Sequence, residues 1–187
     1  MSHTLGILEA MTVRQIRPEE YEALGVLTVA AYRGLLGNDL SLGYASELAD
    51  VAGRAAVVEV LVAVDDQGRL EGGVTYIAGP GPLAWFDGPL DAGMRMLAVA
   101  PAAQGRGVAA ALLAACVARA RGAGNTRLLL HTTAPMTAAH RLYERAGFHR
   151  DPGGDKVLDD GLHLLAYVLD VGPGGRVVRT RPGGGIG

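Results

Sequence analysis

A chain of 187 residues sits at the upper end of one ordinary domain, so one large core is expected rather than a string of modules. Hydrophobic residues at 49% against 19% charged exclude an intrinsically disordered chain, and a net charge of -2 supplies no global attraction for nucleic acid or an anionic membrane. Cys116 is the sole cysteine, which excludes an internal disulfide and a cysteine-built metal cage and fits a reducing cytoplasm.

Residues 1–11 read as a short leader containing Glu9 and no basic stretch, unlike a secretory signal. Residues 12–17 form a weak strand that Pro18 stops. Pro18, Glu19 and Glu20 then open a helix, because proline loses no useful donor in a first turn and carboxylates meet its positive end. Tyr21, Leu24, Leu27 and Ala31 line its apolar face as far as Arg33. Residues 34–42 read as loop and 44–50 as a second, shorter helix. The β-branched run 57–65 and the segment 70–78 form a hairpin through the turn Asp65-Asp66-Gln67-Gly68.

From Gly79 to Gly93, four glycines and three prolines surround Trp85 and Phe86, which predicts a long irregular connection. A core strand follows at 94–99, then a glycine-containing turn and a helix over 108–122 stopped by Gly122 and Gly124. A leucine-rich strand at 127–132, a helix at 137–146 stopped by Gly147, and a last strand at 162–170 complete the domain, taken as 12–171. Residues 172–187 hold seven glycines and two prolines and read as a flexible tail. The longest apolar run, Val108 to Ala118, is about half of what a membrane helix needs, so no bilayer span is expected.

The sharpest motif is Gln104-Gly105-Arg106-Gly107-Val108-Ala109, between a strand and an alanine-rich helix. Its glycines let the backbone curl so that successive N–H groups point inward at a helix N-terminus, a cradle for phosphate or pyrophosphate. A bare strand-to-helix turn accounts for the same glycines. No G-x-x-x-x-G-K-[ST] is present, and Ala110 follows Ala109 where a dinucleotide-binding turn needs its third glycine, so kinase and dehydrogenase readings fall.

The second motif runs from Ala139 to Phe148, an amphipathic helix with Gly147 at its end and Tyr143 on its apolar stripe. Alone, Tyr143 reads as a core residue, though a buried phenol can give a proton to a leaving group brought within reach. His131 and His140 fall near the same region, but their spacing with His149 matches no metal-ligand set, so no metal site is expected. Cys116, among helical alanines, reads as an inert buried thiol.

Taken in order, the strand, the Q-G-R-G-V-A turn, the helix, the next strand and A-x-x-L-Y-E-x-x-G-F resemble the GNAT superfamily of N-acetyltransferases over residues 12–170. The resemblance implies an α/β (α+β) fold: a mixed, mostly antiparallel sheet, helices on both faces, and two central strands splayed around acetyl-CoA. It implies that the turn from Gln104 through Gly105, Arg106, Gly107 and Val108 to Ala109 holds the pyrophosphate, while the pantetheine runs along Leu97, Ala98 and Val99. Tyr143 would protonate the departing thiolate, and a strand amide, that of Val99, would polarise the thioester carbonyl.

A primary amine or an N-terminal α-amino group would attack directly in a ternary complex, and the scattered carboxylates slightly favour a small amine over a basic protein tail. The glutamate that relatives often use as general base falls at Gly93, and their coenzyme-contacting asparagine at Met136. Asp91, Asp87, Glu59 or a water chain must then deprotonate the amine, unless it arrives neutral. Trp85 and Phe86 are candidates to wall the acceptor pocket. Two rival readings stay open: an acyl-CoA sensor without catalysis, and a structural protein that keeps only the fold. Neither nucleic acid nor membrane is an expected partner, and a homodimer is left open.

Overall fold

The computed structural model describes residues 11–158 and 161–173; the leader 1–10 and the tail from 174 onward lie outside the described residues, as do the expectations placed on them. Strand β1 (Thr12–Gln15) leads into a 3₁₀ turn at Pro18–Glu20 and helix α1 (Tyr21–Leu36), which ends three residues beyond Arg33. Glu20 ties the two together: its carboxylate accepts the Arg17 N–H at 2.9 Å and meets the Arg14 guanidinium at 2.6 and 2.8 Å. Helix α2 (Leu42–Ala49) starts where the Ser41 hydroxyl accepts the Tyr44 N–H at 3.2 Å, satisfying one orphan donor of its first turn.

A one-turn helix α3 (Val51–Ala55) follows, too short to leave a readable period in the sequence. Its start is fixed by the Asp50 carboxylate, which accepts the Gly53 N–H at 2.8 Å. The buried Arg54 guanidinium donates to the carbonyls of Glu47, Leu48 and Asp50, so the last turn of α2 is held from within.

The remaining strands are β2 (Glu59–Val64), β3 (Leu70–Ile77), β4 (Asp91–Val99), β5 (Arg127–Thr132), the two-residue β6 (His149–Arg150) and β7 (Lys156–Val157), and β8 (His163–Asp170). Helix α4 (Val108–Gly122) separates β4 from β5, and α5 (Thr137–Arg145) separates β5 from β6. The sheet runs β1-β2-β3-β4-β5-β8-β6, with β7 added on the start of β8. Every neighbouring pair is antiparallel except β4 with β5, which is parallel. The expected mixed, mostly antiparallel sheet is therefore present. Strand β4 begins three residues before Met94 because Asp91, Ala92 and Gly93 already pair with Arg127, Leu128 and Leu129; their small or polar side chains hide the strand from a hydrophobicity reading.

Helices cover both faces. On one, α4 and Tyr143 of α5 close over Val74, Tyr76, Met94, Leu128 and Leu130; on the other, α1 and α3 close over Val60 and Val62. The Gly72-Gly73 pair in β3 sets how close they come. A Cβ on Gly72 would lie 3.0 Å from Val108 Cγ1 of α4 and 2.6 Å from the Ala98 carbonyl oxygen, and one on Gly73 would lie 2.6 Å from Leu24 Cδ1 of α1. Successive strand residues face opposite sides, so two adjacent glycines admit one helix from each side. The first turn of α4 is thereby seated directly on the end of β4.

Candidate active site

The pairing of β4 with β5 stops at Met94 and Leu130. Beyond that point β4 runs on to Val99 paired with β3 alone, and β5 to Thr132 paired with β8 alone, so the two strands part. A bulge marks the same place. The β3–β4 register shifts between Gly73 and Thr75, and Met96 takes φ +55°, a conformation uncommon for a residue with a Cβ. The extra residue reverses the alternation: Ala92 and Met94 pack on the α4 side, whereas Met96 and Ala98 pack with Tyr32 and Leu48 on the α1 side, and Leu97 and Val99 return to α4.

Ala100 N–H donates to the Glu71 carbonyl at 2.8 Å. By the alternation of an antiparallel ladder, the N–H of Val99 then turns away from β3, toward the gap that β5 has left.

At the end of β4 the chain forms a 3₁₀ turn, Pro101–Ala103, and an extended Gln104. Gly105 (φ +76°) and Gly107 (φ +84°) are both left-handed, and a Cβ at either would meet nothing within 4 Å. Alternation of left- and right-handed residues aims successive N–H groups to one side. No side chain caps α4, so the donors of Val108 and Ala109 stay available at its positive end. Arg106 turns back to the buried Glu71 carboxylate at 2.6 Å, tying the turn to β3. The turn thus presents an open rim of backbone donors next to the strand gap, with the geometry of an anion cradle.

Tyr143, buried on α5, lines a cavity at the gap together with Met94, Leu97, Leu130, Thr132, Thr133 and Met136. Its ring lies 5.9 Å from Phe148 and 6.1 Å from Tyr167, and burial alone pushes its phenol well above the ordinary tyrosine value. The hydroxyl oxygens of Thr132 and Thr133 are buried without a hydrogen-bond partner among the described residues. Val99 does not line this cavity; Leu97 does.

The same cavity continues to the α1 side of the sheet, where Tyr32, Tyr44, Glu47, Trp85, Arg95 and His131 line it. The Arg95 guanidinium lies 4.0 Å above the Trp85 ring, donates to the Glu47 carboxylate at 3.1 Å and reaches the Leu83 carbonyl at 3.4 Å. Glu47 and Arg95 were not singled out from the sequence. A charge set inside the otherwise apolar strand MRMLAV was the available signal for Arg95; Glu47 lies 48 residues away on another element and carried none.

The carboxylates offered as candidate bases are elsewhere. Asp91 is buried in a two-bond pair with Arg127, at 2.8 and 2.6 Å. Glu59 pairs with Arg119 at 2.8 Å, and Asp87 is exposed; none of the three lines the cavity. At Gly93 the room is taken by Phe86, whose Cε1 lies 2.5 Å from where a Cβ would stand. Trp85 lines the cavity, and Phe86 packs behind it. Cys116 is fully buried and its thiol is pushed up to about 12 by burial, which leaves it inert. Among the described residues, no cluster of His, Cys, Asp or Glu could hold a metal ion, and no helix is long and apolar enough to cross a membrane.

Comparison with known proteins adds to this geometry. The sequence pattern of the acetyltransferase (GNAT) family matches residues 36–148. An acetyltransferase of the GNAT family from Staphylococcus aureus superposes with a TM-score of 0.69 at 12% identity, covering 87% of this chain and 99% of its own. A presumed acetyltransferase from Salmonella typhimurium, solved with its cofactor acetyl-CoA, gives 0.62 at 23% identity, with 87% and 94% covered. A presumed GNAT acetyltransferase from Desulfovibrio desulfuricans gives 0.66 at 25% identity, with 87% and 99% covered. No curated protein matches the chain in sequence.

Proposed function

The chain belongs to the GNAT acetyltransferase family, and from that premise we propose that it transfers the acetyl group of acetyl-CoA to a primary amine of a small molecule, in a ternary complex. The observation that carries this reading is the coincidence of three features at one place. The strands part after Met94 and Leu130, the donor rim from Gly105 to Ala109 opens at the end of β4, and Tyr143 lines the cavity between them.

Acetyl-CoA supplies an activated thioester. The open space at Gly105 and Gly107 leaves room for its pyrophosphate against the N–H groups of Gly105, Gly107, Val108 and Ala109, the Arg106 N–H being donated to the Ala103 carbonyl, and the stretch Leu97 to Val99, which β5 has left, offers its free edge to the pantetheine. The amide of Val99, or of Leu97 nearer the cavity, polarises the carbonyl where an oxyanion develops. Tyr143, held protonated by burial, gives its proton to the departing sulfur. The acceptor enters from the opposite side of the sheet, against Trp85, Tyr44 and the carboxylate of Glu47, which suits a cationic amine with apolar substituents.

Titration calorimetry tests the reading. Acetyl-CoA is expected to bind the wild type in the micromolar range and NAD not at all, and Gly107→Glu, which strains φ and sets a negative charge in the cradle, is expected to abolish binding without unfolding the domain. Absence of acetyl-CoA binding to the wild type would overturn it. Binding with no turnover across an amine panel would instead favour a sensor of acyl-CoA.

A further inference from the structure

We propose that His131 is the general base of the reaction, its Nδ1 taking the proton of the acceptor ammonium inside the cavity that the imidazole shares with Tyr143. The proposal rests on the acetyl-transfer reading and names the base that the sequence left open.

Four observations carry it. His131 is the next residue of β5 after Leu130, where the partnership with β4 ends, and its ring lines the cavity from the acceptor side. Its Nε2 lies 2.9 Å from the Gly154 carbonyl oxygen. A carbonyl oxygen can only accept, so Nε2 carries the proton and, in the neutral ring, the lone pair is on Nδ1. Nδ1 has no hydrogen-bond partner among the described residues, and the edge-to-face contact with Trp85, 5.2 Å between centroids, fixes the ring plane.

Electrostatics agree with that geometry. Burial holds the imidazole below its ordinary value, Lys156 of β7 and Arg95 of β4 push the same way, and the Gly154 carbonyl and Asp155 oppose them without reversing the sign. The ring is therefore a neutral base at pH 7. The remaining ionisable groups around the cavity are less suited: Glu47 of α2 is engaged by Arg95, and burial raises the phenols of Tyr32, Tyr44 and Tyr143.

The step balances. The ammonium gives one proton to Nδ1, and the freed nitrogen lone pair forms the C–N bond to the acetyl carbon. As the C–S bond breaks, the sulfur leaves with the Tyr143 proton; the second proton on nitrogen restores the phenol, and the imidazolium releases its proton to solvent.

The test joins kinetics with a readout that needs no turnover. The kcat/KM of the most active amine in a panel of 2-phenylethylamine, tyramine, spermidine and free amino acids is followed against pH at saturating acetyl-CoA. For the wild type it should rise with a one-proton slope through the lowered His131 value. His131→Gln keeps a donor for Gly154 but has no basic nitrogen, and should lose that limb and roughly 10²–10⁴-fold in rate at neutral pH. The gap should narrow as pH approaches the amine's own pKa, because the nucleophile then arrives unprotonated. Parallel profiles for the two proteins would overturn the proposal.

Nitrogen-15 NMR of the imidazole should show a neutral ring with the proton on Nε2 at pH 7; an imidazolium, or a proton on Nδ1, would overturn it too. Failure of the wild type to bind acetyl-CoA in calorimetry would remove the reading beneath it. That failure would leave the NMR result unchanged, so the two are told apart.

Discussion

Phe86 stands where a side chain on Gly93 would go: its Cε1 comes within 2.5 Å of an ideal Cβ on that residue. The place that relatives often give to a catalytic glutamate is filled here by an aromatic ring, and the two residues exclude each other. Gly93→Glu is therefore expected to lower stability by about 1–3 kcal/mol, as overpacking of a filled site does, and to bring no gain in rate. Thermal unfolding and turnover of the purified variant check both halves.

Tyr143→Phe keeps the packing against Phe148 and Tyr167 and removes only the hydroxyl. Turnover should fall by roughly 10²–10⁴-fold with the acetyl-CoA Kd unchanged. Because burial raises the phenol, the wild type should show no alkaline loss of kcat from this group through the ordinary tyrosine range near ~10. Unchanged kcat in the variant would reject the acid role.

Asp91→Asn separates a structural carboxylate from a chemical one. The Asp91–Arg127 pair closes the parallel register of β4 and β5 with bonds of 2.8 and 2.6 Å, and half of the arginine side chain is exposed, which limits its worth. A stability loss of about 1–2 kcal/mol is expected, with the shape of the pH–rate profile preserved. Denaturant unfolding beside a pH series measures each.

Glu47→Gln removes the negative charge at the acceptor side while keeping a hydrogen-bond acceptor for Arg95. The amine KM should rise by no more than about tenfold, the worth of one partly exposed charge contact, and acetyl-CoA binding should stay as it was. Steady-state kinetics with each substrate varied in turn gives the answer.

What the sequence made legible was local. The glycine turn at 105–107 and the helical stripe bearing Tyr143 each fall within one short window, where left-handed glycines and a 3.6-residue period leave direct marks. The main strands and helices followed the same logic. The α1 side of the cavity was legible only in Trp85 and His131: Glu47 and Arg95 come from separate elements, and only the folded sheet brings all four to one cavity. Of the carboxylates that the sequence offered, Asp91 and Glu59 serve ion pairs with Arg127 and Arg119, partners 36 and 60 residues distant that no spacing rule announces, and Asp87 is exposed.

The bulge at Met96 makes β4 a strand of two opposite parities. Upstream, odd-numbered residues such as Arg95 face the α1 side, where the acceptor is proposed to enter; downstream, odd-numbered Leu97 and Val99 face α4. One strand therefore presents odd-numbered side chains to both faces of the sheet because its count slips by one. Straightening the bulge with every residue kept would carry Leu97 and Val99 to the α1 face, whereas deleting Met96 would give an unbroken alternation that leaves both on the α4 face.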